Sequence, residues 1–345
     1  MTNRNSNWKN RDWELELAKN KPFLLKPACK DYLWGGNRLN SEFSKGIELS
    51  PLAETWECST HPDGLSTVDS GIYKGKTLRE VLKENPSFLG SNVQTGGELP
   101  VLIKFIDAAK DLSVQVHPDD EYARQYENGS QGKTEMWYVL DAKKDSRIVY
   151  GFRTRVTKLQ IRESIENKEL EKYLQKKQIE KNDVFLIKAG TVHAIGAGSL
   201  IAEIQQSSNL TYRLYDYNRV DKNGKLRELH IEKALEVANL EAQKEPRQPM
   251  RVLKYRRGCA SELLCRCKYF QVERLLINTE ASREMADFQS GGASFQAFLC
   301  IEGCGVLIFE EEQYFYFHKG DCIFVPANSV LMKIHGKLQM LRVSC

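Results

Sequence analysis

Residues 112–117 of the chain read Leu-Ser-Val-Gln-Val-His, and this stretch carries the strongest information about the fold. Side chains two residues apart lie on the same face of a β-strand. The two valines therefore predict a face that packs in a core, while Gln115 and His117 share the opposite face. A strand of this kind would present an amide and an imidazole together to one ligand.

Two later residues extend this pattern. Glu135 begins a short strand-like segment, and His193 follows a glycine turn in AGTVH at 189–193. Two imidazoles, one carboxylate and one amide oxygen suit a borderline divalent cation such as zinc. The four residues predict one metal site with room for water or substrate, although the spacing alone leaves an ordinary structural role for the histidines open.

Short apolar segments separated by Gly, Pro, Asp and Asn recur along the chain. Examples are VLIKFI at 101–106, DVFLI at 183–187 and LIAEI at 200–204. This density of short strands is typical of an antiparallel sandwich or barrel. The sequence therefore predicts a fold that is mainly β with helical insertions.

The helical insertions are predicted at about 77–90, 157–177 and 230–240. In the first, Thr77 precedes an apolar pattern and Glu80 follows three residues later, which is the signature of a capping box. In the second, leucines and isoleucines recur at roughly helical spacing.

The chain has 345 residues, which is enough for two domains. The predicted organisation is a polar N-terminal extension at 1–21, a metal-binding catalytic domain at 22–245 and a smaller β-domain at 250–345. The polar, proline-containing segment 241–249 predicts a linker between the two domains. The histidines of the C-terminal domain do not form an H-x-H motif, so this domain is expected to hold no metal.

Composition excludes several classes of function. The formal net charge is +4 and the hydrophobic content is 41%, so the chain is expected to bind neither nucleic acid nor a membrane surface. No apolar run approaches the roughly 18 residues of a membrane span. The expectation is a cytoplasmic protein, with a monomer preferred. The nine cysteines contain no C-x-x-C pair and predict free thiols, with Cys265 and Cys267 on one side of a strand.

The spacing of the four candidate ligands resembles that of the cupin superfamily. Cupins carry H-x-H and then a glutamate in one motif, and a histidine in a second. In this chain Gln115 replaces the first histidine, and Lys188 stands where the second motif usually has proline.

From about Phe23 onward, the chain resembles the type I mannose-6-phosphate isomerases (phosphomannose isomerases) of the short bacterial form, in which the Q-x-H motif is typical. The resemblance is carried by seven stretches in a fixed order, namely DYLWGG (31–36), LAETWECSTHPDG (52–64), LPVLIKFIDA (99–108), LSVQVHPDD (112–120), GKTEMWY (132–138), AGTVHAI (189–195) and EIQQSSNLTYRLYD (203–216).

The resemblance implies a fold and a cofactor. The fold would consist of two cupin-type β-barrel (jelly-roll) domains plus a small helical region. One zinc ion per chain would be held by Gln115, His117, Glu135 and His193.

It also implies which residues serve catalysis. Arg213 and Lys133 match active-site positions, and Glu203 keeps the family's ten-residue separation from Arg213. Glu203 is the acid–base candidate, and the alternative is an inward-facing strand residue paired with an arginine. Asn209 stands where some longer relatives have an aspartate proposed for ring opening, and an amide cannot act as an acid or base near neutral pH.

The remaining matches concern substrate binding. Lys104 and Ser113 match positions linked to the phosphate end of the substrate. Four more positions match motifs near the pocket, namely Asp31, Trp34, Glu54 and His61.

The implied reaction interconverts mannose 6-phosphate and fructose 6-phosphate through an enediolate. Such a reaction needs a base and fixed positive charge. Zinc with one carboxylate ligand leaves about +1, and Lys104, Lys133 and Arg213 raise the charge of the site to roughly +4, which suits an anionic sugar phosphate. Arg213 could stabilise the enediolate or orient the phosphate, and the sequence does not separate these roles.

Two other functions remain open at this point. An iron-dependent cupin oxygenase would usually have more histidine ligands, so Gln115 and the cluster of cations argue against it. A non-enzymatic sugar-phosphate-binding or regulatory cupin could keep the fold while losing catalytic groups. The candidate groups are all present in this chain, which favours the isomerase.

Overall fold

The structure is a computed structural model that describes residues 20–220, 224–244, 246, 248–281, 284–310 and 313–345. Most of the predicted extension at 1–21 therefore lies outside the described residues. Strands predominate over helices in the described ranges, which confirms the prediction of a mainly β fold. No described helix is both long and apolar enough to cross a membrane.

Strands are numbered in chain order. The first thirteen are β1 (Phe23–Lys26), β2 (Ala28–Lys30), β3 (Glu54–Cys58), β4 (Thr67–Val68), β5 (Val101–Ala108), β6 (Val114–Val116), β7 (Glu135–Ala142), β8 (Arg147–Phe152), β9 (Leu174–Gln178), β10 (Val184–Ile187), β11 (His193–Ile195), β12 (Ser199–Gln206) and β13 (Tyr212–Tyr215). The strands that follow are β14 (Lys254–Arg256), β15 (Cys259–Arg266), β16 (Gln271–Asn278), β17 (Ala286–Phe288), β18 (Gln296–Phe309), β19 (Gln313–His318), β20 (Cys322–Val325) and β21 (Met332–Ser344).

The helices are short. Within the described ranges, the α-helices are α1 (Arg38–Phe43), α2 (Leu78–Glu84), α3 (Asp120–Tyr126), α4 (Lys158–Glu166) and α5 (Ile231–Val237), and single 3-10 turns occur at Gly71–Tyr73, Pro86–Leu89 and Leu170–Lys172. The capping box predicted for α2 is present, because the Thr77 side chain accepts from the Glu80 N–H and the Glu80 carboxylate accepts from the Thr77 N–H.

The helix predicted at 157–177 is much shorter than expected. It begins with a capping box between Thr157 and Gln160 but ends at Glu166. Lys168 then adopts a positive φ of 59°, which a continuing right-handed helix does not allow. The segment from Leu174 onward is β9, an edge strand that pairs with β8. The apolar residues that suggested a longer helix therefore serve a helix, a turn and a strand in succession.

The chain divides into two compact units. In the described residues, the first unit comprises 20–27, 57–100 and 251–345, and the second comprises 28–56 and 101–250. This division differs from the contiguous domains predicted at 22–245 and 250–345. Its cause lies in long-range pairing, because β1 pairs antiparallel with β20 and with β4 inside one sheet of the first unit.

The first unit is built on one large sheet. Its strand order is β14-β15-β16-β21-β18-β20-β1-β4, with β17 paired to β21 and β19 paired to β18. Aromatic and aliphatic side chains of this sheet, such as Leu275, Phe298 and Phe317, form its core. The core of the first unit is therefore apolar. All nine cysteines of the chain lie in described residues and none forms a disulfide, as the sequence predicts.

The second unit contains two sheets covered by helices. One has the order β10-β7-β12-β5-β3-β2, and the other has the order β13-β6-β11-β8-β9. An apolar cluster joins the two sheets, with Ile106 and Trp137 from the first and Ile195 from the second. A separate cluster packs the outer face of the five-stranded sheet against α4 and α5. Side chains that point between the two sheets are therefore enclosed, and the candidate site lies there.

Candidate active site

Strand β6 lies between β11 and β13 in the five-stranded sheet. Its antiparallel register sets Gln115 opposite His193 on one side and opposite Arg213 on the other. Val114 and Val116 are fully buried in the cluster that includes α4 and α5. The predicted alternation is therefore present, and the polar side chains of β6 face the six-stranded sheet.

His117, Glu135 and His193 form a compact buried cluster. Their candidate ligand atoms all lie within 4.8 Å of one another. Glu135 Oε2 lies 3.5 Å from His117 Nε2, and Glu135 Oε1 lies 3.3 Å from His193 Nε2. The structure thus brings together three of the four predicted ligands. Glu135 belongs to the six-stranded sheet, His193 belongs to the five-stranded sheet, and His117 directly follows β6 of the five-stranded sheet.

Hydrogen bonding and burial fix the charge state of the two imidazoles. His193 Nδ1 lies 2.8 Å from the carbonyl oxygen of Thr191, which requires the Nδ1 hydrogen and leaves a lone pair on Nε2. Burial, with the nearby Lys133 ammonium, lowers the pKa of His117 to about 3. Burial also lowers the pKa of His193. Both imidazoles are therefore neutral near pH 7, which is the form that binds a metal ion.

The cluster fits a cation. The Nε2 lone pair of His193 faces an oxygen of Glu135, and neither Glu135 oxygen accepts a well-aligned hydrogen bond. Lys133 Nζ lies 2.9 Å from Glu135 Oε2 and 3.1 Å from His117 Nε2, so its ammonium is the cation beside these atoms. Burial opposes ionisation of Glu135, but Lys133 and the imidazoles hold its pKa well below the usual value. Converging lone pairs around a buried carboxylate are stabilised by a positive ion.

Gln115 stands beside this cluster. Its Nε2 lies 3.4 Å from His193 Nε2, and its Oε1 lies 3.5 Å from the Ser113 hydroxyl. Both contacts are long for hydrogen bonds, so little holds the amide in this orientation. A half-turn of the amide would direct its oxygen toward the His193 lone pair, as a fourth ligand requires.

A second buried network lies across the six-stranded sheet. Lys104 Nζ is 3.1 Å from Glu203 Oε1 and 3.8 Å from Glu54 Oε2. Each carboxylate also accepts an indole N–H, since Trp137 donates to Glu203 at 3.0 Å and Trp56 donates to Glu54 at 2.7 Å. Lys104 is therefore held between two oriented carboxylates.

The pKa values in this network shift for identifiable reasons. Burial raises the pKa of Glu203, and the Glu135 carboxylate raises it further. Burial lowers the pKa of Lys104, but the Glu203 and Glu54 carboxylates outweigh that effect and raise it overall. Lys104 thus stays protonated, while Glu203 is a stronger base than an exposed carboxylate.

Arg213 reaches the same space from β13. Its Nε lies 3.3 Å from the Ser113 hydroxyl, and its Nη1 donates to the carbonyl oxygen of Glu228 at 2.8 Å. Its backbone is held by His230, whose Nδ1 accepts the Arg213 N–H at 3.2 Å while the His230 N–H donates to the Arg213 carbonyl at 2.8 Å. The start of α5 therefore fixes the position of this arginine.

Next to the His117–Glu135–His193 cluster lies a cavity of about 300 Å³, although the three cluster residues are not themselves among its lining residues. The predicted residues among its lining are Trp34, Glu54, Lys104, Ser113, Gln115, Lys133, Glu203 and Arg213, together with Asn209. Trp34 reaches this cavity through a close backbone approach at Gly35, where an added Cβ would lie 2.4 Å from the Ala53 Cβ. Asp31 and His61 are not among the lining residues, and His61 belongs to the first unit.

Comparison with known proteins identifies the chain. A model of the phosphomannose isomerase type I catalytic domain matches residues 23–145, and a model of the mannose-6-phosphate isomerase cupin domain matches residues 261–345. The mannose-6-phosphate isomerase ManA of Bacillus subtilis is 39% identical over 92% of this chain and 96% of its own length. The chain belongs to the type I phosphomannose isomerases.

Two further comparisons agree with this family. The mannose-6-phosphate isomerase of Streptococcus mutans is 33% identical over 93% of this chain and 97% of its own length. The crystal structure of the mannose 6-phosphate isomerase from Bacillus subtilis has a TM-score of 0.86 at 35% identity and covers 94% of this chain and 99% of that chain. These matches confirm that the chain has the fold of this family, as the resemblance predicted.

The sequence did not predict every residue of this phosphomannose isomerase pocket. Tyr32, Thr211 and Arg227 also line it. Thr211 lies two positions before the predicted Arg213 at the start of β13, so strand alternation could have suggested it, whereas Tyr32 and Trp34 lie outside the strands, where that alternation does not apply. Nothing local marks Arg227, which reaches the pocket through a bridge between Val220 and Leu226 that only the folded chain provides.

Proposed function

We propose that the chain interconverts mannose 6-phosphate and fructose 6-phosphate as an aldose–ketose isomerase, with one zinc ion held by Gln115, His117, Glu135 and His193. The observation that carries this proposal is the closeness of two features: a buried cluster suited to a cation, whose neighbours Gln115 and Lys133 line the cavity, and the basic carboxyl of Glu203, which lines the same cavity. An enediolate reaction requires both of these features.

The donor set favours zinc among the divalent ions. Two neutral imidazoles with one carboxylate and one amide oxygen combine nitrogen and oxygen ligands, which suits zinc better than magnesium or calcium. A zinc ion bound there would supply a Lewis acid that polarises oxygen atoms of the substrate.

Glu203 is the proposed acid–base group. Its raised pKa makes it better matched to proton transfer near neutral pH than an exposed carboxylate. The Trp137 indole and the Lys104 ammonium each engage a different oxygen of Glu203, so the carboxyl is held in a fixed orientation. In this role Glu203 would take the proton from C2 and return it at C1.

The cations of the pocket have separate proposed tasks. Lys133 and Arg213 would stabilise negative charge that develops on the substrate oxygens during proton transfer. The resemblance links Lys104 to the phosphate end of the substrate, but its ion pairs with Glu203 and Glu54 favour a role in binding substrate hydroxyl groups and in orienting Glu203. Ser113, Trp34 and Glu54 complete the proposed substrate-binding set, because their side chains line the same cavity.

The substrate class follows from the size and polarity of the cavity. A volume of about 300 Å³ is at the lower end of the range for small-molecule sites and suits a hexose phosphate. We further propose a cytoplasmic monomer that acts on this small molecule and binds neither nucleic acid nor membrane.

The test is an isomerisation assay on purified protein, before chelation, after chelation and after addition of zinc. Activity should disappear with the metal and return with zinc. His193→Ala should abolish both activity and stoichiometric zinc binding, measured by elemental analysis. His318→Ala is the matched control, because this histidine lies in the first unit and its side chain is 59% exposed. Folded, zinc-loaded protein that converts neither sugar phosphate would overturn the proposal.

A further inference from the structure

A buried amide lies beside the segment that carries Lys133 and Glu135. Gln206 ends β12 and is 3% exposed. Its side-chain Oε1 accepts the Thr134 N–H at 2.9 Å, and its backbone N–H donates to the Thr134 carbonyl oxygen at 3.1 Å. Thr134 stands between Lys133 and Glu135 in the chain. One residue therefore holds both backbone groups of the residue that joins the pocket lysine to a candidate metal ligand.

The other end of the same amide reaches α3. Gln206 Nε2 donates to Asp120 Oδ1 at 2.8 Å, and this oxygen also accepts the Gly132 N–H at 3.1 Å. Asp120 is the first residue of α3 and follows the candidate ligand His117 by three positions. The amide therefore connects the segment 132–134 to the chain that leaves β6.

Close packing makes this connection stiff. An added Cβ on Gly132 would lie 2.4 Å from the carbonyl carbon of Asp119 and 2.5 Å from the backbone nitrogen of Asp120. The Lys133 N–H donates to the Pro118 carbonyl oxygen at 3.0 Å. Backbone lies directly against backbone here, so a shift at the start of α3 would displace Lys133.

Such a displacement would reach the cluster of candidate ligands. Lys133 Nζ lies 2.9 Å from Glu135 Oε2 and 3.1 Å from His117 Nε2. The His117 carbonyl oxygen accepts the Gly190 N–H at 2.9 Å, which attaches the turn before His193 to the same region. Because a misplacement of about 1 Å can strongly reduce the effect of a catalytic group, the position of this backbone matters for the site.

Only an uncharged amide meets both demands on this side chain. The Thr134 N–H requires an acceptor, whereas the Asp120 carboxylate requires a donor. A carboxylate in place of the amide would still accept the Thr134 N–H, but it would bring a second negative charge against Asp120. An apolar side chain would leave the buried Thr134 N–H without this partner, which is costly.

We propose that Gln206 is a positioning residue whose amide, through Thr134 and Asp120, holds Lys133 and Glu135 in place beside His117. This inference rests on the proposed function and deepens it, since it names the group that orders the pocket lysine and the candidate ligands before substrate binds. Gln206 is not itself among the residues that line the cavity, so it acts on the reaction through its neighbours.

The test compares Gln206→Glu with Gln339→Glu in the full-length protein. Gln339 Nε2 donates to Glu302 Oε2 at 3.0 Å on an exposed part of the first unit, so both variants bring a new carboxylate against an existing one. For Gln206→Glu we expect the Kd for zinc to rise and kcat to fall by at least about 10-fold each, with KM changed less than about 3-fold. Gln339→Glu should match the wild-type protein in all three quantities.

A second substitution should rescue the first. Asp120→Asn removes the like charge and supplies an N–H donor, so Gln206→Glu combined with Asp120→Asn should recover at least about 3-fold of the lost zinc affinity and kcat. A double variant without any recovery would overturn the role assigned to Asp120. A lower Tm in Gln206→Glu, with zinc affinity and kcat equal to those of Gln339→Glu, would show that Gln206 only stabilises the fold and would overturn the proposal.

Hydrogen exchange separates this inference from the proposed function. In the metal-free protein, Gln206→Met and Asp120→Ala should each raise the exchange rate of the peptide that contains residues 132–134 by at least about 5-fold. Asp120 is only half-buried, so its variant provides the measurement if Gln206→Met does not fold. A wild-type protein that converts neither sugar phosphate would refute the proposed function but not the positioning role. Unchanged exchange in either variant, once folded, would overturn the positioning role.

Discussion

Glu203 and Lys104 form an ion pair at 3.1 Å directly across the adjacent strands β12 and β5, although both side chains are only 5% exposed. A buried pair of this kind is costly to break, because the remaining partner keeps its charge without compensation. A proton on Glu203 would remove the negative charge that compensates the buried Lys104 ammonium. A substitution of Glu203 is therefore the most informative test of the proposed proton transfer.

Glu203→Gln should lower kcat by about 10² to 10⁴ while changing KM by less than about 5-fold. The amide keeps an oxygen that can accept the Trp137 N–H, but it cannot take a proton from carbon. Steady-state kinetics on zinc-loaded protein would measure the effect, with Glu232→Gln on the exposed face of α5 as the control. A kcat near wild type would assign proton transfer to another group.

The metal-free protein should lose stability on acidification below about pH 6.5. Folding lowers the pKa values of His117, His193 and Glu135, so the unfolded chain takes up protons at a pH where the folded chain does not. Each histidine then contributes a loss of about 1.4 kcal/mol per pH unit as the pH falls from its unfolded pKa toward its folded pKa.

Urea denaturation of chelated protein between pH 4 and pH 8 would measure this dependence. His117→Asn should flatten the slope because one of the linked groups is absent. A free energy of unfolding that stays constant from pH 7 to pH 5 in the wild-type protein would contradict the assigned shifts.

His230 should act as a positioning residue for Arg213. His230→Leu removes the Nδ1 acceptor of the Arg213 N–H and should lower kcat/KM by about 10-fold, since a small displacement of a charged group weakens its electrostatic effect. His230→Asn retains an acceptor and should restore much of the activity. Equal losses in both variants, with unchanged thermal stability, would show that the hydrogen bond does not matter.

Cys267 should react with iodoacetamide faster than Cys265 at pH 7. A hydrogen bond from the Cys265 thiol lowers the pKa of Cys267 to about 6, although the partial burial of Cys267 opposes this shift. Hydrogen bonds from the backbone of Tyr269 and Phe270 lower the pKa of Cys267 further. The pKa of Cys265 is raised by the same contact. The thiolate is the reactive form, so the two rates should separate.

Mass spectrometry of peptides alkylated from pH 5 to pH 10 would follow both thiols. Cys265→Ala should move the midpoint for Cys267 upward toward that of an ordinary thiol. A Cys267 midpoint near pH 9 in the wild-type protein would count against the hydrogen-bonded thiolate.

Local pattern predicted the parts of the structure that depend on local forces. Alternation identified the two faces of β6, and the spacing of Thr77 and Glu80 identified a helix start. The same reasoning extended α4 too far, because apolar residues at Leu170 and Leu174 satisfy a helical period and a turn followed by a strand equally well.

Features that depend on distant parts of the chain were beyond local pattern. The pairing of β1 with β20 joins segments about 300 residues apart, so a contiguous division into domains could not anticipate it. Similarly, two carboxylates beside Lys104 reduce the net charge that the sequence predicts for the site. Arg227 likewise lies beside Asp216 and lines the pocket only because the chain folds back through the bridge between Val220 and Leu226.

Strand β6 has only three residues, yet with its neighbours it supplies Ser113, Gln115 and His117 to one face and two core valines to the other. A one-residue insertion there would exchange these two sets of side chains. Hydrophobic packing and chemistry would then be lost in a single step, with no folded but inactive intermediate between them. A change of length in this segment would therefore remove the core packing and the candidate site together, whereas the substitution of a single pocket side chain can alter the site while the core stays intact.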